Sequence, residues 1–119
     1  MLREKLFMQK KYDLYLEDIL ESIEKIEKYT KEVNYAKFAR DTLISDAVIR
    51  NLEIIGEAVK KVPQELRKKS NKTEWKKIAG LRDILIHAYF GINKEIIWDI
   101  VTNKLPPLKN TIKELLKHK

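Results

Sequence analysis

The chain has 119 residues, of which 44% are hydrophobic and 36% charged, with three glycines, three prolines and no cysteine. This length suits one hydrophobic core, so residues 1–119 are predicted to form a single domain. A composition rich in Leu, Ile, Lys and Glu and poor in turn formers predicts an all-α protein. The lack of cysteine excludes disulfides and thiolate metal sites, and two distant histidines argue against a histidine-rich centre, so neither metal nor other cofactor is expected.

No apolar run approaches the roughly 18 residues that are needed to span a bilayer. The first residues also lack the long apolar stretch of a secretory signal. We therefore expect a cytoplasmic protein that makes no contact with a membrane.

The formal net charge of +7 is unevenly distributed along the chain. Residues 60–77 carry eight basic side chains against two acidic ones, and residues 104–119 carry five lysines against one glutamate. Clustered cations attract phosphates without regard to sequence. These segments therefore indicate either contact with a polyanion or a solvated, lysine-rich surface that keeps the protein soluble.

An apolar stripe predicts a first helix over residues 11–29. Apolar side chains recur at spacings of three and four, and Leu20 widens the stripe. The members of the stripe are Tyr12, Leu16, Ile19, Ile23 and Ile26.

Residues 30–34 break this pattern, and residues 35–61 resume it as a second long helix. A bend is possible near Asp41 or Ser45, because such side chains compete for backbone groups. Gly56 lies inside this helix, where a glycine usually permits close approach of another segment.

Arg50, Glu53 and Glu57 line one polar face of the same helix. They predict either a surface row of ion pairs or a charged strip beside a functional site.

Pro63 ends the second helix, since the residue before a proline disfavours the α region. Residues 63–70 are predicted to form a short helical piece and residues 71–73 a loop. Thr73 is a suitable N-cap for a third long helix that runs through Ala88, with Gly91 as its stop.

Asn93 can cap a following helix that includes residues 96–101. Pro106 and Pro107 are predicted to separate it from a last helix over residues 108–116. The elements together predict a bundle of four long helices with one or two short ones.

Four side chains that can carry chemistry lie within eight residues of the third helix: Arg82, Asp83, His87 and Tyr89. On a wheel of about 100° per residue, Tyr89 returns to within about 20° of Arg82, whereas Arg82 and His87 are about 140° apart. Asp83 and His87 form an i,i+4 pair, so the carboxylate can reach one ring nitrogen. One straight helix does not aim Arg82 and His87 at a common point, and two copies that meet across a two-fold axis offer a better geometry.

These residue types suit the cleavage of RNA without a metal. The reaction must remove a proton from the 2′-hydroxyl, give one to the departing 5′-oxygen and neutralise charge on the phosphorus. Histidine, with an ordinary pKa near 6.5, suits the proton transfers, and the fork of arginine fits phosphate oxygens. A tyrosine can hold a phosphate or stack on a base. The alternative is structural: His87 bonds the last carbonyls of a helix, Arg82 and Asp83 are exposed charges, and Tyr89 fills the core.

The stretch from Arg82 to Tyr89 resembles the Arg-x4-His-x-Tyr motif of the HEPN superfamily, specifically its HepT-like branch. Further segments resemble that branch in the same order, and the resemblance covers about residues 10–116. These segments are residues 15–20, 47–58, 75–81 and 90–93, together with Trp98.

The resemblance implies an all-α, HEPN-type up-and-down bundle of four long helices plus one or two short ones, assembled as a homodimer. It implies a metal-independent endoribonuclease that cuts RNA as the toxin of a type VII-like toxin–antitoxin pair, with Arg82 and His87 as catalytic residues. The implied partner is an MNT-type nucleotidyltransferase antitoxin, which transfers AMP to the motif tyrosine, here Tyr89, and silences the toxin.

One position departs from the pattern, because many members have asparagine where this chain has Asp83. A carboxylate there repels phosphate, yet it can support His87 by pairing with its ring. Two other functions stay open from the residues: a non-catalytic helical module that docks a nucleotidyltransferase and a nucleotide or RNA, and a purely structural bundle.

Overall fold

The computed structural model describes residues 2–81, 83–85 and 93–117, with the backbone alone for residues 5–9. Every regular element in these residues is helical, which confirms the predicted all-α class. The helices are α1 (Leu2–Thr30), α2 (Tyr35–Arg40), α3 (Thr42–Lys60), α4 (Gln64–Arg67), α5 (Trp75–Ala79), α6 (Lys94–Asp99) and α7 (Leu105–Leu116). Leu81 and residues 83–85 are also helical.

The apolar stripe of α1 faces the core, as its spacing predicts. Leu16, Ile19, Ile23 and Ile26 are completely buried, and Tyr12 packs against the same core from its edge. The helix begins at Leu2 and not near residue 11. The first ten residues contain no glycine or proline and are rich in good helix formers, so the helix extends beyond its apolar stripe.

The predicted second helix is two helices that are separated at Asp41. The Asp41 backbone is extended, and its N–H donates to the Lys37 carbonyl at 2.9 Å, which closes α2. Its carboxylate accepts the N–H of Ile44 at 3.2 Å and caps α3. The expected bend is therefore a break, because one aspartate ends one helix and begins the next.

The long helices run up and down beside one another. Lys61, just after α3, lies over the ring of Tyr15 at 5.5 Å, so the end of α3 lies beside the first half of α1. Lys109, in the first turns of α7, pairs with Glu27 near the end of α1 at 2.7 Å. Both α3 and α7 therefore run antiparallel to α1.

A short helical piece follows α3, as predicted. It consists of α4 and the 3₁₀ turn Lys68–Ser70. Arg67 folds back from it, and its guanidinium donates to the carbonyls of Val59 at 2.8 Å and Val62 at 3.0 Å. These carbonyls lie at the C-terminus of α3, where an arginine can satisfy acceptors and complement the helix dipole.

The third helix differs from its prediction at its beginning and in the middle. Glu74, and not Thr73, is the residue that precedes α5, and the Thr73 hydroxyl lies 3.1 Å from that of Thr111 in α7. The element α5 ends at Ala79 and is followed by Gly80, after which Leu81 and residues 83–85 are helical. The predicted continuation through Ala88 to the stop at Gly91 lies outside the described residues.

Gly56 of α3 makes the close approach that its position predicts. A Cβ built on Gly56 would lie 3.5 Å from Leu81 Cβ and 3.6 Å from the Ile78 carbonyl oxygen. The segment 78–81 therefore packs directly onto the backbone of α3.

The last two predicted helices form one continuous helical stretch, because a π-helical turn, Ile100–Lys104, joins α6 to α7. The Leu105 N–H donates to the carbonyl of Ile100, five residues earlier. Pro106 and Pro107 lie in the first turn of α7, where proline is tolerated. They lack N–H groups, and the wider turn before them accommodates that loss without ending the helix.

Asn93 precedes α6, as predicted, but its side chain makes no capping bond. Its φ of 147° holds the residue outside the usual N-cap conformation. The helix α6 is instead fastened to α2. The ring of Trp98 lies 5.0 Å from that of Phe38, and Lys94 Nζ donates to the Ala39 carbonyl at 2.6 Å.

We expect Gly56→Ala to raise the free energy of unfolding by up to about 1 kcal/mol, because alanine favours a helix over glycine and its Cβ meets neighbours at ordinary contact distances. Gly56→Leu should lower it by about 1–3 kcal/mol, since its branch must displace Leu81 or the Ile78 carbonyl. Urea denaturation measures both. Similar effects of the two substitutions would contradict the close packing of segment 78–81 on α3.

We expect Arg67→Met to lower the free energy of unfolding by about 1–3 kcal/mol, because it removes both donors to the α3 carbonyls and keeps most of the aliphatic stem. Lys68→Met is the matched control, since Lys68 is exposed. It should change stability by no more than about 0.5 kcal/mol. An equal loss from the two variants would contradict the capping role of Arg67.

Candidate functional site

Of the four predicted site residues, the structure describes only Asp83. Arg82, His87 and Tyr89 lie outside the described residues. Asp83 is described: its side chain is exposed, and its N–H donates to the Gly80 carbonyl at 3.1 Å. The predicted contact between Asp83 and His87 therefore stays a prediction.

Buried leucines orient the start of the predicted site helix. Leu81 is 4% exposed and Leu85 is 1% exposed, whereas Asp83 between them faces solvent. Residues at i and i+4 share one helix face, and i+2 lies on the opposite side. This segment thus turns its leucines to the core and Asp83 outward, and its closest support is Gly56 of α3.

The polar face of α3 borders that contact. Arg50 pairs with Glu53 at 3.6 Å, and Lys60 pairs with Glu57 at 3.5 Å. The polar row is therefore present as two separate ion pairs, one of which uses Lys60, a residue outside the predicted row. It flanks Gly56 along the helix, so its two carboxylates lie on the turns of α3 that carry the segment leading to residue 82.

The basic segment 60–77 divides into side chains that have intramolecular partners and side chains that do not. Arg67 is bonded to the end of α3, and Lys60 is paired with Glu57. Lys77 donates to the Glu74 carboxylate at 2.6 Å, which raises the pKa of Lys77 and lowers that of Glu74. The charges of Lys60 and Lys77 are thus partly neutralised within the fold, and the donors of Arg67 are occupied by backbone carbonyls.

Lys61 lies over the ring of Tyr15. The four lysines of the segment that remain form what we call the lysine patch: Lys68, Lys69, Lys72 and Lys76. All four are exposed, and none pairs with a carboxylate in the part of the chain that the structure describes. They lie within nine consecutive residues, from the 3₁₀ turn after α4 to the first turn of α5.

The second basic segment, at the C-terminal end of the described chain, is mostly paired. Lys104 lies 3.9 Å from Glu74, and Lys117 lies 3.4 Å from Glu114. The contact between Lys109 and Glu27 raises the pKa of Lys109 through a direct hydrogen bond. Lys113 is exposed. The two segments look alike in composition, yet only the first keeps several unpaired cations together.

Sequence reasoning missed the residues that hold this basic segment in place. Trp75 is 6% exposed, and its indole N–H donates to the Ser70 carbonyl at 3.1 Å. Arg67 had been counted among the available charges. An arginine just after a helix that ends before a proline is a signal for capping of that helix, and it could have been used.

The described residues contain neither a membrane-spanning helix nor a cluster of metal ligands. No helix in the described parts of the chain is long and apolar enough to cross a membrane. Among residues 2–81, 83–85 and 93–117, no three acidic, histidine or cysteine side chains form a group that could hold a metal ion. Both histidines of the chain, His87 and His118, lie outside these ranges.

Comparison with known proteins gives a consistent family. The family model described as ribonuclease HepT-like matches residues 19–115. A protein of Caldanaerobacter subterraneus that carries a provisional RNase name is 46% identical over 103 residues, which cover 87% of this chain and 92% of the relative. A Methanocaldococcus jannaschii protein with a similar provisional name is 48% identical over 103 residues, covering 87% and 85%.

A third relative has the name of the family itself. It is a Thermococcus cleftensis protein with a provisional ribonuclease HepT name, 42% identical over 110 residues that cover 92% of this chain and all of the relative. No solved structure matches the chain at a significant level. The family match covers well over half of the chain, and it includes the Arg82–Tyr89 stretch. This protein belongs to the HepT-like ribonuclease family.

Proposed function

We propose that this protein is an endoribonuclease that cleaves RNA without a metal ion, using Arg82 and His87. The observation that carries the proposal is the HepT-like family match over residues 19–115, within which Arg82, His87 and Tyr89 keep the motif spacing. The names of the relatives, all of which refer to a ribonuclease, agree with this activity.

The chemistry assigns a role to each side chain. The 2′-oxygen attacks the adjacent phosphorus, the bond from phosphorus to the 5′-oxygen breaks, and the products are a 2′,3′-cyclic phosphate and a 5′-hydroxyl. His87 is the general acid or base for one of the two proton transfers. Arg82 clamps the phosphate oxygens and stabilises the charge that develops on them. Tyr89 contacts the phosphate.

The orientation of the described segment supports a site that is open to a second copy of the chain. Leu81 and Leu85 face the core and Asp83 faces outward. If the helix continues, His87 follows Asp83 on the outer side, about 40° away, and Arg82 diverges from it by about 140°. A two-fold dimer resolves this divergence, because Arg82 of one copy can act with His87 of the other.

Asp83 is the supporting residue in this scheme. A carboxylate four residues before His87 can accept a hydrogen bond from the imidazole and hold its tautomer and orientation. Its negative charge opposes phosphate binding, so the arrangement requires compensating cations nearby.

We further propose that the protein is the toxin of a toxin–antitoxin pair and that a nucleotidyltransferase partner silences it. The Tyr89 hydroxyl oxygen would attack the α-phosphorus of ATP, pyrophosphate would leave, and the phenolic proton would pass to solvent or to a base of the partner. The resulting AMP group places a bulky anion beside Arg82, where it blocks the RNA phosphate.

We expect the full-length protein to cleave single-stranded RNA in the presence of EDTA. His87→Ala and Arg82→Ala should each lower the rate at least about 100-fold, because each removes a proton-transfer group or the charge clamp. Gel analysis of the products measures the rate, and thermal unfolding checks that the fold is retained. The matched control is His118→Ala, which changes the other histidine and should retain full activity.

Three results would contradict this function: cleavage that requires added Mg²⁺, cleavage that survives loss of His87, or an equal loss in His118→Ala. RNA binding with no cleavage under any condition would favour the non-catalytic binding module.

We expect incubation with ATP and an MNT-type nucleotidyltransferase to add AMP to Tyr89 and to abolish RNA cleavage. Tyr89→Phe should stay unmodified, because it lacks the nucleophilic oxygen. Intact-protein and peptide mass spectrometry measure the modification. Tyr29→Phe is the control, since Tyr29 is an exposed tyrosine outside the motif, and this variant should still be modified. Transfer of AMP to Tyr89→Phe would contradict the assignment.

A further inference from the structure

We infer that the lysine patch (Lys68, Lys69, Lys72 and Lys76) binds the RNA backbone beside the cleavage site and supplies most of the salt-dependent affinity for the substrate. The inference rests on the proposed function, since it takes RNA as the ligand. Four observations carry it: the absence of internal partners, a fixed backbone, a position next to the Arg82 stretch and a surface without apolar side chains.

The first observation is that some lysines of the described chain are paired with carboxylates within the fold, whereas the patch lysines are not. Lys60, Lys77, Lys104, Lys109 and Lys117 all lie within 4 Å of a carboxylate. A paired lysine must lose its carboxylate before it can neutralise a phosphate, which reduces its net gain. The patch lysines have no such partner among the described residues, so their charge is directly available to a polyanion.

The second observation is that the backbone beneath the patch is held at several points. Arg67 fastens its beginning to the end of α3, and Trp75 fastens the turn through the Ser70 carbonyl. The Thr73 hydroxyl meets Thr111 of α7 at 3.1 Å. The four lysine stems therefore project from a fixed framework, and the backbone gives up little freedom when a ligand binds.

The third observation is proximity along the chain. Lys76 precedes Arg82 by six residues. Even a fully extended chain of that length spans only about 20 Å, so the two residues cannot be farther apart than that. The intervening segment 78–81 is packed onto Gly56 of α3, which holds it against the bundle. An RNA strand whose phosphate is held by Arg82 would have its neighbouring phosphates within reach of the patch.

The fourth observation is that the described surface around the patch lacks exposed apolar side chains, which favours RNA as its ligand over a membrane or another protein. The two large apolar side chains beside the patch, Leu66 and Trp75, are buried. The exposed large apolar residues of the described chain are elsewhere: Leu2, Leu14, Tyr29, Leu43 and Ile96. Membrane surfaces and protein partners select apolar groups together with charge, whereas a nucleic-acid backbone requires only cations. Of the two carboxylates in segment 60–77, Glu65 is the one outside an ion pair with a lysine, against eight basic side chains in the same segment.

The test compares two full-length variants that lose the same number of charges. In the patch variant, Lys68, Lys69, Lys72 and Lys76 become Gln. In the control variant, four ion-paired lysines become Gln: Lys25, Lys60, Lys104 and Lys117. Both are made in a His87→Ala background, so that binding of single-stranded RNA is measured without cleavage across a series of KCl concentrations.

We expect the patch variant to bind RNA at least about tenfold more weakly and to flatten the slope of log Kd against log salt by about 2 to 3. The control variant should change both quantities much less. With His87 intact, the patch substitutions should raise KM for RNA and leave kcat within about twofold, because they remove binding that is equal in the ground and transition states.

Equal effects of the two variants would assign the binding to net charge and overturn the inference, as would unchanged RNA binding in the patch variant. Intact RNA binding with weakened binding of a nucleotidyltransferase partner would identify the patch as a protein-docking surface and overturn it too. Absence of cleavage by the unsubstituted protein, with patch-dependent RNA binding retained, would instead refute the catalytic proposal and leave this inference standing.

Discussion

The architecture depends on the contact between segment 78–81 and α3 at Gly56. At Gly56, Leu81 and the Ile78 carbonyl lie at ordinary contact distance from the position that a Cβ would take, so the contact has room for a methyl group but not for a larger side chain. That contact fixes Leu81, and the burial of Leu81 and Leu85 then fixes the rotation of the segment, with Asp83 outward. The Arg82–Tyr89 stretch begins on this segment. A single close approach to α3 thus fixes the orientation of the segment from which the proposed catalytic residues continue in sequence.

The basic side chains differ in whether they are paired within the fold. The sequence has two lysine-rich segments, but long-range pairs such as Lys109 with Glu27 neutralise much of the second. In the first, Arg67 stabilises the end of α3, while the lysine patch stays exposed. The fold therefore uses some cations to hold the bundle together and leaves the lysine patch unpaired among the described residues, in the segment that precedes Arg82 in the sequence.

The sequence predicted what local periodicity and composition determine. The buried stripe of α1 and the close approach at Gly56 follow from helical spacing and from the lack of a side chain. The break at Asp41 could not be distinguished from a bend, because the outcome depends on two hydrogen bonds made by one residue. Pro106 and Pro107 suggested an interruption, yet the helical stretch continues, because a π-helical turn precedes them and they lie in the first turn of α7. For the site, the motif supplied Arg82, His87 and Tyr89 through family resemblance, whereas the division of lysines by their partners required tertiary structure.

In the function that we propose, the catalytic site is shared between two copies of the chain, with Arg82 from one and His87 from the other. Mixing the inactive Arg82→Ala and His87→Ala proteins under conditions that exchange subunits tests it most directly. A heterodimer of the two has one shared site with both residues intact, so RNA cleavage in EDTA should reappear. No recovery of cleavage, with subunit exchange verified by differently tagged chains, would contradict the shared site.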